Sequence, residues 1–169
     1  MNNNVLVLTG ACGVGKSTIG KAWAKERKGV CIESDYFTEW IHDDHPISTE
    51  YFLNTEKLIA DLSWACAETY LKNGFSVAIE NVWSPKGFGF LRDKIQKNTL
   101  VNEFKFVHLK CDLEENFIRD NQRASDNQMK ERVEIVKLEL EDYTWQDYVH
   151  IIDSSSKSIE ETLSIIASI

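Results

Sequence analysis

A chain of 169 residues is long enough to bury one sizeable core and too short for a second large module, so a single domain over 1–169 with one site is expected. With 43% hydrophobic and 11% aromatic residues and only two prolines it reads as globular rather than disordered. A net charge of -8 argues against a general nucleic-acid or anionic-membrane partner, either of which needs a basic surface.

Met1-Asn2-Asn3-Asn4 runs straight into a short apolar stretch, without the basic region and longer apolar segment of a signal peptide, and no run approaches a membrane span. Cys12, Cys31, Cys66 and Cys111 are scattered with no C-x-x-C spacing, which indicates neither a zinc site nor a disulfide framework. A soluble, cytoplasmic protein is expected, and no feature points to an oligomeric state.

Val5 to Thr9 is a β-branched apolar run ending at Gly10, the pattern of a strand buried on both faces. Lys16 to Lys28 reads as a helix closed by Gly29, and Val30 to Glu33 as a second strand. A helical region over about 36–73 follows, broken near Asp43-Asp44-His45-Pro46 and stopped by Gly74. Phe75 to Glu80 reads as the third strand, about Pro85 to Asn98 as a helix, and Glu103 to Lys110 as the fourth strand. Asp112 and Glu115 have capping-box spacing at the start of another helix, and helical pattern then continues with interruptions to about Glu141. Val149 to Ile152 is the last strand, and Ser158 with Glu161 caps a terminal helix. Five strands separated by helices predict an α/β fold, a five-stranded parallel sheet with helices on both faces.

Between the first strand and the first helix lies Gly10-Ala11-Cys12-Gly13-Val14-Gly15-Lys16-Ser17-Thr18. Free backbone N–H groups and the helix dipole make such a turn an anion site. Gly10, Gly13 and Gly15 let the backbone curl around a β-phosphate, and Lys16 reaches the β- and γ-phosphates. Ser17 is the magnesium ligand expected of the motif, and Thr18 bonds the α-phosphate. ATP with Mg2+ is therefore the expected ligand; the strand before and helix after argue against a chance match.

Asp35 follows the second strand at the carboxyl edge of the sheet, where open α/β sheets bind ligands. There it accepts a proton from a substrate hydroxyl or holds magnesium-bound water; the alternative is an N-cap for the helix near Tyr36. Glu80 ends the third buried run, the pattern of a second carboxylate serving magnesium through water, or else contacting the acceptor. Arg119 and Arg123 are four apart on one helix face, ahead of the hinge-like Ala124-Ser125-Asp126-Asn127, which sketches a lid over about 119–132. A lid arginine neutralises charge on the γ-phosphate and its neighbour stacks on adenine; the bland alternative is a solvated face paired with Glu114, Glu115 or Asp120.

On these residues the chain resembles the small-molecule kinases of the nucleoside-monophosphate-kinase-like group, including shikimate kinase, gluconate kinase and chloramphenicol phosphotransferase, over nearly its whole length. The carriers are the phosphate loop, the aspartate after strand two, the acid ending strand three, the Arg-x-x-x-Arg pair and Ile151-Ile152-Asp153-Ser154-Ser155. The resemblance implies strand order 2-3-1-4-5, ATP as donor, Arg119 near the adenine, Arg123 over the phosphates, and Asp153, Ser154 and Ser155 along the base. No single member is assigned. Glu80-Asn81-Val82-Trp83-Ser84-Pro85 stands where shikimate kinases carry three glycines, their carboxylate-clamping arginine after strand two is missing, and the Asp-Gly-Phe-Pro-Arg signature of adenylate kinases is absent.

Tyr36, Phe37, Trp40, Trp83, Phe88 and Phe90 follow strands two and three, and in aggregate they favour an acceptor with an apolar body, although core packing suits any one ring. His42-Asp43-Asp44-His45 reads as a mobile polar loop, because one short consecutive segment rarely closes a metal site. His108 reads as a satisfied core or strand-end histidine, and Trp64, Cys66 and Tyr70 as helix packing with Leu58 and Leu62. The expected activity is ATP-dependent transfer of the γ-phosphoryl group to a hydroxyl of a small molecule, with Asp35 as base and Lys16, Mg2+ and Arg123 stabilising the moving group. The alternative is a nucleotide-binding switch or regulatory protein, although the guanine-specific Asn-Lys-x-Asp motif is absent. A third reading is a kinase of a nucleic-acid end or an activated sugar.

Overall fold

In the computed structural model residues 3–42, 49–125 and 128–169 are described. The elements run β1 (Asn4–Gly10), α1 (Lys16–Glu26), β2 (Val30–Glu33), α2 (Asp35–Glu39), α3 (Thr49–Lys72), β3 (Val77–Glu80) and α4 (Pro85–Gln96). They continue with β4 (Glu103–Lys110), α5 (Leu113–Asn121), α6 (Arg132–Asp142), β5 (Val149–Asp153) and α7 (Ile159–Ser168). The five strands form one parallel sheet in the order β2-β3-β1-β4-β5, as expected.

β1 lies at the centre, and Val5, Leu6, Val7 and Leu8 are at most 1% exposed, which is why its sequence is continuously apolar rather than alternating. The two faces still divide by side-chain parity. Val5, Val7, Val77, Ile79 and Phe106 pack in one cluster with Ile59, Ala67, Phe88 and Leu91 of α3 and α4. Leu6, Leu8, Ala78 and Val107 pack in a second with Ile19 and Trp23 of α1 and Leu163 and Ile166 of α7. On α3, Trp64 joins the core as predicted, whereas Leu58, Leu62 and Tyr70 are exposed. The helix packs through the seam of Ala60, Trp64, Ala67 and Leu71, and those three residues lie off it.

Helix ends follow local hydrogen-bond chemistry. At α4, Ser84 is the N-cap, its Oγ accepting from the N–H groups of Lys86 and Gly87 at 3.2 Å each, with Pro85 in the first helical turn. The predicted capping box at Ser158 and Glu161 forms. The one at Asp112 and Glu115 does not: the Asp112 side chain makes no cap bond, its N–H goes to Ser155 Oγ, and the Glu115 carboxylate is drawn to the Arg119 guanidinium and the Ser156 N–H. Parallel pairing brings the carboxyl ends of the strands to one edge, with Leu8, Glu80 and Glu33 in one row of the register.

Candidate active site

The loop joining β1 to α1 is shaped by its glycines. Gly13 and Gly15 have φ of 80° and 99°, in the left-handed region, and a Cβ on Gly13 would stand 2.6 Å from the Asn116 carbonyl oxygen. Lys16 is 8% exposed, and its Nζ donates to the carbonyl oxygens of Gly10 at 2.9 Å and Ala11 at 3.1 Å. Ser17, the second residue of α1, faces β3, and its Oγ donates to Glu80 Oε1 at 2.7 Å.

Glu80 is buried, and its second oxygen, Oε2, has no hydrogen-bond partner. Burial pushes its carboxyl above the ordinary range; Lys16 and the Ser17 hydroxyl pull the other way, and Asp35 and Glu33 add to the rise. A buried carboxylate bonded through one oxygen to a serine hydroxyl, with the other oxygen unused, fits a hard cation that completes its shell with phosphate oxygens and water. Among the described residues no group of three or more His, Cys, Asp or Glu is arranged to hold a metal by itself.

Ser34, not Asp35, is the N-cap of α2, and Asp35 is the first helical residue, which removes the capping alternative. The Asp35 side chain reaches solvent just beyond the carboxyl end of β2. Desolvation there raises its carboxyl, opposed by Lys16, reinforced by Glu33, and opposed again by Arg123 and Arg132. Lys16, Asp35 and Glu80 thus share one electrostatic neighbourhood.

Beside the loop opens a cleft of roughly 410 Å³ lined by Gly13, Gly15, Thr18, Arg119, Arg123 and Ser154, among others. The Arg119 guanidinium donates to the carbonyl oxygens of Val14 and Ser154, both at 3.1 Å, and pairs with Glu115. Arg123 Nε lies 3.7 Å from Asp120 Oδ1. The two readings of this helix face therefore coexist: each arginine has a carboxylate partner, and both line the cleft. Asp120 is 1% exposed, and its Oδ2 accepts from Met129 N–H at 2.8 Å and Lys130 N–H at 3.0 Å, tying α5 to the approach of α6.

Of Asp153, Ser154 and Ser155, only Ser154 lines the cleft. Asp153 instead accepts from the Ser155 N–H at 2.8 Å, and Ser155 Oγ accepts from the Asp112 N–H at 2.9 Å, so these two shape the loop. Gln122, Lys157 and Thr162 line the cleft and were not anticipated; Gln122 is three residues after Arg119, a spacing that could have exposed it. Arg132, which acts on Asp35, was also missed, because it lies beyond the arginine pair.

The aromatic set divides. Trp83 and Phe88 are 0% exposed and belong to the core, whereas Tyr36 and Trp40 are 55% and 69% exposed. The Trp83 backbone is clamped by Thr9, whose Oγ1 accepts from its N–H at 2.8 Å and donates to its carbonyl at 2.9 Å. Buried Glu56 of α3 accepts from both the N–H and the Oγ of Ser84 at 2.7 Å, holding the turn after β3. In the His42-Asp43-Asp44-His45 run, positions 43–45 lie outside the described residues, as do 126 and 127 of the lid sequence. His108 is buried against Trp145, ring centroids 4.6 Å apart, but its Nδ1 has no hydrogen-bond partner, so it is not the satisfied histidine expected.

The chain belongs to the family AAA_33, described as an AAA domain, whose model matches residues 5–144. No curated protein matches it. Among solved structures it is similar to an unliganded sugar kinase from a Janibacter species, with a TM-score of 0.70 and 19% identity over 99% of this chain and 94% of that one. It is similar also to a gluconokinase from Sinorhizobium meliloti, with a TM-score of 0.66 and 19% identity over 98% and 92% of the two chains. An APS kinase from Mycobacterium tuberculosis, solved with AMPPNP and APS, gives a TM-score of 0.62 and 13% identity over 98% and 96%. The fold is that of the P-loop kinases.

Proposed function

We propose that this AAA_33 member is an ATP-dependent phosphotransferase that moves the γ-phosphoryl group of ATP to a hydroxyl of a small molecule. The observation that carries this reading is the convergence of Lys16, Ser17, Glu80 and Asp35 at one edge of the sheet, beside a cleft lined by the phosphate loop and two arginines. The kinase names of the structural neighbours support a small-molecule acceptor. Four free cysteines support a cytoplasmic setting.

In this reading the triphosphate seats on the N–H groups of residues 10–18 at the start of α1, and the Lys16 ammonium exchanges the Gly10 and Ala11 carbonyls for β- and γ-phosphate oxygens. Ser17 and Glu80 are the residues that would hold Mg2+, directly or through water, and Asp35 lies close enough in the same field to share in it. Bound there, Mg2+ supplies positive charge against the phosphate oxygens. Asp35 takes the proton of the acceptor hydroxyl as its oxygen bonds to the γ-phosphorus and the bond from that phosphorus to the β,γ-bridging oxygen breaks, leaving ADP. Arg123 neutralises charge on the moving group, Arg119 and Ser154 flank the base, and the segment of about 119–132 closes as a lid over a single domain whose acceptor side is the region of about 36–73.

The test is ADP formation measured with ATP alone and then with a panel of hydroxyl compounds. Acceptor-dependent turnover that falls about 100-fold or more in Asp35→Asn supports the reading. ATP binding without stimulation by any acceptor, and indifferent to that substitution, supports a nucleotide switch instead.

A further inference from the structure

Asn116 is 0% exposed on the second turn of α5, and nothing in its sequence neighbourhood marks it. Its Nδ2 donates to the Cys12 carbonyl at 2.6 Å, and its Oδ1 accepts from the Cys111 thiol. Burial pushes that thiol up to about 11, so it remains a donor, and it fixes which end of the amide faces which partner. Three residues along the same helix, Arg119 donates to the Val14 carbonyl at 3.1 Å. The convex side of the phosphate loop is therefore held by α5 at two alternate peptides.

Peptide geometry gives this clasp a consequence on the concave side. In a trans peptide the carbonyl and the following N–H point in opposite directions. A Cys12 carbonyl turned toward Asn116 aims the Gly13 N–H into the loop, and a Val14 carbonyl turned toward Arg119 does the same for Gly15. The Asn116 backbone carbonyl also closes on Gly13, where a Cβ would stand 2.6 Å from it, so helix and loop are in close contact at that residue.

We infer that Asn116 is a positioning residue for the nucleotide: it holds the Cys12–Gly13 peptide with its N–H toward the phosphates and sets α5, with Arg119 and Arg123, against the loop. The inference rests on the ATP reading above. Loss of the clasp leaves the Cys12 carbonyl and the Cys111 thiol without their partner and frees the peptide to rotate.

The experiment is calorimetric titration of the full chain with ATP and Mg2+, alongside amide NMR. Asn116→Ala and the near-isosteric Asn116→Asp, which lacks the donor, are compared with Leu91→Ala, a core truncation on the opposite side of the sheet. Each Asn116 variant is expected to weaken ATP binding about tenfold, while Leu91→Ala stays within about twofold. In the wild-type chain ATP shifts the Gly13 and Gly15 amide signals; in Asn116→Asp the Gly13 shift shrinks and the Gly15 shift persists. Unchanged affinity in both Asn116 variants, an equal loss in Leu91→Ala, or a Gly13 amide that ATP does not move in the wild-type chain overturns the assignment. A wild-type chain that binds no ATP overturns the proposed function, and the assignment with it.

Discussion

Asp35 and Glu80 stand at the same edge and are pushed in the same direction, yet only Asp35 reaches solvent. That difference separates a group able to meet an acceptor from one enclosed beside Ser17. Because desolvation raises Asp35, its base form accumulates at higher pH than that of an ordinary aspartate. The account predicts that kcat/KM falls as pH drops through an acid limb lying above 3.8, and that Asp35→Asn removes the limb together with most of the activity. A pH–rate profile flat across that range would contradict the assignment. His108 gives a prediction about stability. Burial lowers it from 6.5 to about 4, so it folds neutral; its contribution is fully present above 6.5 and is lost as pH falls toward 4. Denaturant midpoints at pH 7 and 4 should show a loss on the order of 3 kcal/mol attributable to this residue, absent from His108→Phe. An equal loss in that variant would assign the effect elsewhere. Glu80 was legible in the sequence because an acid closing a buried run is conspicuous. Asn116 was not, since a polar residue in an acidic helix reads as surface until the loop it clasps is known.

Among the elements, those whose ends are set by contiguous residues were read closely. The Ser158 and Glu161 box formed because both partners lie within one turn and have no competitor. The Asp112 box failed because distant partners intervened: Ser155 Oγ took the Asp112 N–H and the Ser156 N–H took a Glu115 oxygen, and local spacing carries no information about such competition. Thr9 shows the same dependence on distant structure. Its hydroxyl satisfies both backbone groups of Trp83, fastening the turn after β3 to the central strand. Thr9→Val keeps the shape and removes both bonds, and it is expected to lower unfolding free energy by about 2 kcal/mol with an unchanged denaturant slope. A loss under about 0.5 kcal/mol would mean that the turn is held by other contacts.

For the whole molecule, the alternation of strands and helices foretold a parallel sheet covered on both faces, and parallel strands must end together at one edge. The order β2-β3-β1-β4-β5 did not follow from periodicity; it came with the family resemblance. That order brings Glu33, Glu80 and the strand leading into the phosphate loop side by side, so the loop and two carboxylates meet from three separate stretches of chain. The acceptor side was less legible. An aromatic residue after a strand suits a pocket wall and a core equally; of the six candidates Trp83 and Phe88 are in the core, Phe37 and Phe90 pack against it, and Tyr36 and Trp40 are exposed.

The central claim is that a phosphoryl group moves rather than that a nucleotide merely binds. Its most direct test supplies ATP labelled in the γ-phosphate to the full chain with Mg2+ and a panel of small hydroxyl compounds, and follows the label. The account predicts label on an acceptor oxygen in the wild-type chain and none in Lys16→Ala or Asp35→Asn. Label that stays on ATP, or appears only as inorganic phosphate whatever compound is present, would contradict it.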